Sequence, residues 1–320
     1  MIGFGACFWA HGATWPEMRD AAVAAEAAGF DSLWTDDHLI NDMGDPEIPV
    51  FEAWTTLAAW AVVTSRPRLG LLVGAAPLRD PGLLVKSAIT VDHISGGRVT
   101  LGLGSGWLAH EYERFGIGFG DGEERADRLD ELATIVRRLL DGERVTHHGR
   151  HFDLTDAFAE PRPIQAHLPI LIGGSGPRRT LRTVARIADL WNMPDGSPGQ
   201  FVERDAILRS HAAALGRDES TIARTILVYG AIREDAAAAE AALLSRTGRF
   251  PGTLVDPPLL SDTGSVAVSL LPYVAAGVSQ VMFGFYAPFD LETVGRLAEL
   301  RAALAAAAAA VAVAHERRPA

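Results

Sequence analysis

Short runs of β-branched, aromatic and aliphatic residues alternate with helical stretches along almost the whole chain, and this rhythm limits the fold more than any other feature. The strand-like runs are IGFGACF (2–8), FDSLWT (30–35), RLGLLVG (68–74), RVTLGLG (98–104), LPILIGG (168–174), ADLWN (188–192), ARTILVYGAI (223–232) and SQVMFGF (279–285). Between them lie helical stretches over 15–29, 51–65, 81–95, 123–142, 177–187, 199–215, 234–247 and 265–276, and a long helix closes the chain. In the first, Pro16 sits in the opening turn and Gly29 ends the helix. Strands that alternate with helices pair in parallel through helical crossovers. Eight such units predict an α/β chain folded as a (β/α)8 TIM barrel. An open doubly wound sheet is the competitor. No Gly/Ser linker or shift of composition marks a boundary, which favours one domain over 1–320. The rhythm breaks at 143–168, read as a small hairpin with an extended insertion, and at 247–264, read as a proline-bearing insertion over the barrel mouth.

Composition decides the partners. The net charge of −11 argues against nucleic acid and against an anionic membrane surface. A small-molecule substrate is the expected partner, and a homodimer the expected assembly. The one cysteine, Cys7, can form no internal disulfide and rules out a cysteine-rich metal site. The longest apolar run, AALAAAAAAVAVA (302–314), is too short to span a bilayer. No signal-peptide pattern opens the chain, so the expected location is the cytoplasm.

In a barrel, chemistry sits at the C-terminal ends of the strands. The unusual residues fall there: TDDH after the second strand, GSGWLAHE after the fourth and GGSGPRR after the fifth. GGSGPRRTLR places a glycine-rich turn before a helix, where backbone N–H groups and the helix dipole make an anion site. Ser175 can add a hydroxyl, and Arg178, Arg179 or Arg182 a counter-charge. TDDH admits two readings. One is a turn capped by Asp36 or Asp37 with His38 hydrogen-bonded to it. The other is an acid that orients a histidine for proton exchange with a substrate. His110 and Glu111 are site residues or caps and surface groups; the sequence leaves both open. His147, His148 and His151 match no metal-ligand spacing and read as a solvated hairpin.

AGFDSLWTDDH, PLRDPGLLVKSAITVDHISGGRVTLGLGSGWLAHEYERFG and PILIGGSGPRRTLRTVARIADLWN together resemble the bacterial luciferase-like monooxygenase superfamily, and its F420-dependent oxidoreductase branch most. The resemblance implies a (β/α)8 barrel that binds coenzyme F420 or, as the alternative, FMN. It implies Asp37 and His38 beside the reactive ring, with Asp37 fixing the tautomer of His38. It implies a non-proline cis peptide at Leu72–Val73 behind the ring, Gly106 and Trp107 beside it, and Gly174, Ser175 and Gly176 at the phosphate. The sugar-phosphate dehydrogenases of this group carry a glutamate after the strand-4 glycines, where this chain has Trp107. The expected activity is hydride transfer between the deazaflavin C5 and a small organic substrate. The rivals are an FMN-dependent monooxygenase, a cofactor-binding protein without turnover and a metal-dependent hydrolase.

Overall fold

The computed structural model describes residues 2–42, 44–247 and 258–316. Among these, eight parallel strands close on themselves: β1 (Gly3–Phe8), β2 (Ser32–Thr35), β3 (Arg68–Leu71), β4 (Val99–Gly104), β5 (Ile170–Gly173), β6 (Leu190–Met193), β7 (Ala223–Ile232) and β8 (Gln280–Phe285). Each pairs with its sequence neighbours, and β8 returns to β1 with Gly3 opposite Gln280 and Phe8 opposite Phe285. The closed α/β barrel expected from the alternation is therefore the fold.

The outer helices include α1 (Trp15–Ala28), α2 (Ala53–Val63), α3 (Pro81–Ser95), α4 (Gly122–Leu140) and α5 (Thr180–Ile187). Local chemistry fixes their ends. Thr14 and Glu17 form a reciprocal capping box on α1, and Gly29 closes it in the left-handed region at φ 91°. Asp121 accepts from the amides of Glu123 and Glu124 and starts α4.

Alternation along each strand divides the core in two. On β1, Phe4, Ala6 and Phe8 pack outward with the apolar faces of the helices. Cys7, and Trp9 just beyond, face the barrel interior with Trp34, Leu72, Leu171, Leu227 and Met282. Trp34 is the bulkiest plug, and adjacent strands make room for it. A Cβ on Gly70 would stand 2.4 Å from its ring, and one on Gly5 would stand 3.0 Å from its indole nitrogen. The indole N–H donates to Ser32 Oγ at 2.7 Å.

Two details differ from the sequence reading, while the cis peptide at Leu72–Val73 that the resemblance implies is present. Strand β3 stops at Leu71 rather than 74, and pairing resumes at Gly74–Ala75 against Leu103 and Gly104. Helix α5 starts at Thr180 rather than 177, because residues 177–179 are spent in a turn. Residues 248–257 of the second insertion lie outside the described residues. The part that is described adds a strand, Leu259–Ser261, parallel to the C-terminal end of β7. The first insertion is a hairpin, Val145–His148 with Asp153–Ala157, and Glu131 of α4 holds it by accepting from His147 Nε2 and the Phe152 amide, both at 2.9 Å.

Candidate active site

The C-terminal ends of the strands surround a cavity of about 830 Å³. Asp37, His38, Leu72, Val73, Gly106, Trp107 and Gly174 all line it. Ser175 and Gly176 follow Gly174 towards α5 and do not reach the cavity wall. His110 is exposed on the outside of its helix.

The fold brings His38 against an acid other than the one expected. Its Nδ1 lies 3.3 Å from Glu111 Oε2. Glu111 is fully buried on the short helix Ala109–Arg114, and its other oxygen accepts from the amides of Leu39 and Ile40. Asp37, by contrast, accepts from Arg79 and from the Ala75 amide, the latter at 3.1 Å. Arg79 also reaches Glu52 at 2.6 Å, and Glu52 caps α2. Asp37 thus ties the end of β2 to β3 and α2. The acid within reach of His38 Nδ1 is therefore Glu111, while Asp37 is engaged by Arg79 and the Ala75 amide. The reason is position: Asp37 lies against Arg79 and the Ala75 amide, whereas Glu111 comes to His38 Nδ1 from the helix after β4.

Burial raises the Asp37 carboxyl above the usual range, with the Arg79 charge opposing it only in part. For His38, burial pulls the pKa down, but the Glu111 hydrogen bond and the Asp36 and Asp42 carboxylates outweigh it and the net shift is upward. The ring is wedged edge-on between Trp107, at 5.6 Å between centroids, and His11, at 5.9 Å. His38 Nε2 has Asp42 Oδ2 3.8 Å away, and His38 borders the cavity.

His11 and Asp36 were not singled out as a pair by the sequence. They form a buried ion pair through His11 Nε2, while Nδ1 lies 2.9 Å from Asn41 Oδ1 and 2.8 Å from Asp42 Oδ1. Oxygen acceptors on both nitrogens demand the imidazolium. Burial opposes that charge, yet Asp36 raises the His11 pKa to about 10, and Asp36 itself falls to about 2. The stabilisation from His11 is complete below its unfolded value of 6.5 and is lost as pH rises through about 10. His11→Gln should therefore flatten the alkaline decline of melting temperature; an unchanged slope would assign that decline to other groups.

The glycine turn leaves α5 without a side-chain cap; the Leu181 amide donates to the Gly176 carbonyl and the Gly174 amide to the Asn192 carbonyl, both at 3.0 Å. Gly174 sits at φ 125°. Of the arginines proposed as counter-charges, Arg179 is engaged by Asp127 and by Glu123 at 3.3 Å, while Arg178 and Arg182 are exposed. A second cavity of about 370 Å³ shares Asp195, Leu227 and Tyr229 with the first and is bounded by Pro258–Ser261. No helix among the described residues is long and apolar enough to cross a membrane.

Comparison with known proteins agrees with this geometry. An F420-dependent glucose-6-phosphate dehydrogenase of Kineococcus radiotolerans is 30% identical over 298 residues, 83% of this chain and 86% of that protein. One of Microbacterium testaceum is 38% identical over 191 residues, 59% of this chain and 55% of that protein. An F420-dependent secondary alcohol dehydrogenase, solved with an F420–acetone adduct, superposes with a TM-score of 0.84 at 20% identity over 95% of this chain and 99% of its own. A riboflavin lyase with modified FMN superposes at 0.78 with 16% identity, covering 95% and 91%. Residues 4–264 match the family described as luciferase-like monooxygenase, and with the closed barrel and its lined mouth in place this chain belongs to that family.

Proposed function

We propose that this chain is an F420-dependent oxidoreductase acting on a small organic substrate, with His38 as its acid–base residue. The observation that carries this reading is one cavity bordered by His38, by the Leu72–Val73 bulge and by the turn that opens α5. The residues fit the coenzyme. A volume of about 830 Å³ is in the range of small-molecule sites. At Gly104, a Cβ would stand 2.4 Å from Val73 Cγ2, and at Gly173 one would stand 2.8 Å from Val73 Cγ1. Only bare backbone there lets Val73 seat against strands β4 and β5. Leu72, Val73, Gly106 and Trp107 would hold the ring, and Gly174, Ser175 and Gly176 the phosphate. Bound there, the coenzyme supplies or accepts hydride at its C5 carbon. The protein positions the substrate and excludes water. His38 Nε2 takes the proton from the substrate heteroatom as the adjacent C–H is oxidised, or returns it in the reverse direction.

The identity of 30% over 298 residues to an F420-dependent dehydrogenase supports the deazaflavin over FMN. Trp107 argues against glucose 6-phosphate as the substrate. Where that class carries an acid, this chain presents an indole that is 57% exposed and edge-on to His38. FMN monooxygenation is the second reading, favoured by the FMN-bearing riboflavin lyase that shares the barrel. Fluorescence titration separates the two. F420 should bind at least about tenfold more tightly than FMN, a difference of about 1.4 kcal/mol. Equal or reversed affinities would move the function to the monooxygenase reading.

A further inference from the structure

We propose that Glu111 is the positioning residue of the site: it holds the neutral His38 ring in the tautomer whose proton sits on Nδ1, leaving Nε2 as the nitrogen that exchanges protons with the substrate. This rests on His38 being the acid–base residue, as in the reading above. The argument starts from a fully buried carboxylate. Such a group must be met by donors, because an uncompensated charge there is costly. Glu111 Oε1 is met by the Leu39 and Ile40 amides, which also fix the backbone directly after His38. Oε2 has His38 Nδ1, 3.3 Å away. A carboxylate can only accept, so Nδ1 must donate in both the neutral and the charged ring. In the neutral ring the lone pair then belongs to Nε2, and His38 borders the cavity. One side chain thereby orders the loop, the ring plane and the reactive nitrogen.

The groups around His38 agree with that assignment. Asp36 and Asp42 face it from its own segment and the protonated His11 faces it from the end of β1, but none of them contacts Nδ1. Among the described residues Glu111, from the helix after β4, is the acid that reaches that nitrogen. The two acids of the site divide the work accordingly, Asp37 bracing the strand ends through Arg79 and Glu111 bracing the histidine.

Two measurements test this. The first needs neither coenzyme nor substrate. Long-range ¹H–¹⁵N spectra of the wild-type protein, with His38 assigned by its disappearance in His38→Ala, should show the Nδ1–H tautomer once the ring is neutral. An Nε2–H tautomer would overturn the proposal whatever the protein catalyses. The second uses Glu111→Gln. Its amide oxygen can still accept from Leu39 and Ile40, but its NH₂ then faces Nδ1 and demands the opposite tautomer. Turnover with F420 should fall by about 10²-fold, with coenzyme affinity unchanged within about threefold and the His38 inflection of the pH profile moved to lower pH. Glu111→Asp, which keeps an acceptor, should recover part of the rate. Glu111→Gln with a wild-type rate and pH profile would reduce Glu111 to a loop anchor and overturn the proposal. If neither variant folds, the wild-type spectrum decides. A wild-type Nδ1–H tautomer in a protein that ignores F420 would leave the positioning intact and sink only the coenzyme reading.

Discussion

His38→Ala lowers turnover by about 10²–10⁴-fold, the usual contribution of a positioned acid–base group, and leaves coenzyme affinity within about threefold. Both halves follow from where the ring sits. His38 borders the cavity, while its ring contacts are to Glu111, Trp107, His11 and, 3.8 Å from Nε2, Asp42. The residues assigned to the coenzyme follow the C-terminal ends of β3, β4 and β5 and keep their places without the imidazole. The measurement is kcat from steady-state turnover beside Kd from fluorescence titration. Normal turnover in His38→Ala would place the proton donor elsewhere. Glu111 is then a poor substitute, because it is fully buried and already engaged by backbone amides. A collapse of coenzyme binding would instead make the histidine a ligand contact, and the proton-transfer role would fall.

Gly174→Asp abolishes coenzyme binding, with a loss on the order of 10²-fold or more. A phosphate held by backbone amides would gain charge-assisted hydrogen bonds worth about 1.5–3 kcal/mol each, and every 1.4 kcal/mol is about tenfold. A carboxylate at Gly174 would occupy the positive end of α5 and repel the phosphate. The position is also strained for any side chain, with φ at 125° and a Cβ 3.1 Å from Thr180 Cγ2. Gly174→Ala is the control, since it carries the same strain without the charge. Binding retained in Ala and lost in Asp supports an anion at the turn. Equal losses in both would mean that backbone distortion is responsible, and unchanged affinity in Asp would put the phosphate elsewhere.

The two acids near His38 show how far a sequence can be read. TDDH marks a titratable group at a strand end because such residues interrupt an apolar run at a barrel's functional rim. The family resemblance implies Asp37 as the partner of His38. The structure gives that place to Glu111, 73 residues away, and spends Asp37 on Arg79. Nothing in AHEYER distinguishes an inward glutamate from an exposed one, since the helix there is short and its burial depends on the loop after β2. His11 and Asp36 tell the same story. They lie on neighbouring strand ends, 25 residues apart, and become a pair only when β1 and β2 are in register.

What the sequence determined by itself is what short-range physics controls. The alternation of strand and helix, the caps at Thr14, Gly29 and Asp121, the rim position of TDDH and the glycine turn before α5 all depend on residues within a few positions of one another. The closing of β8 on β1, the glycines that admit Trp34 and the choice of Glu111 over Asp37 needed the tertiary structure. They depend on groups far apart in the chain, whose mutual distance is set by strand register and side-chain direction. A one-residue change in either turns a lumen residue outward, and no local pattern of amino acids encodes which distant partner then remains within reach.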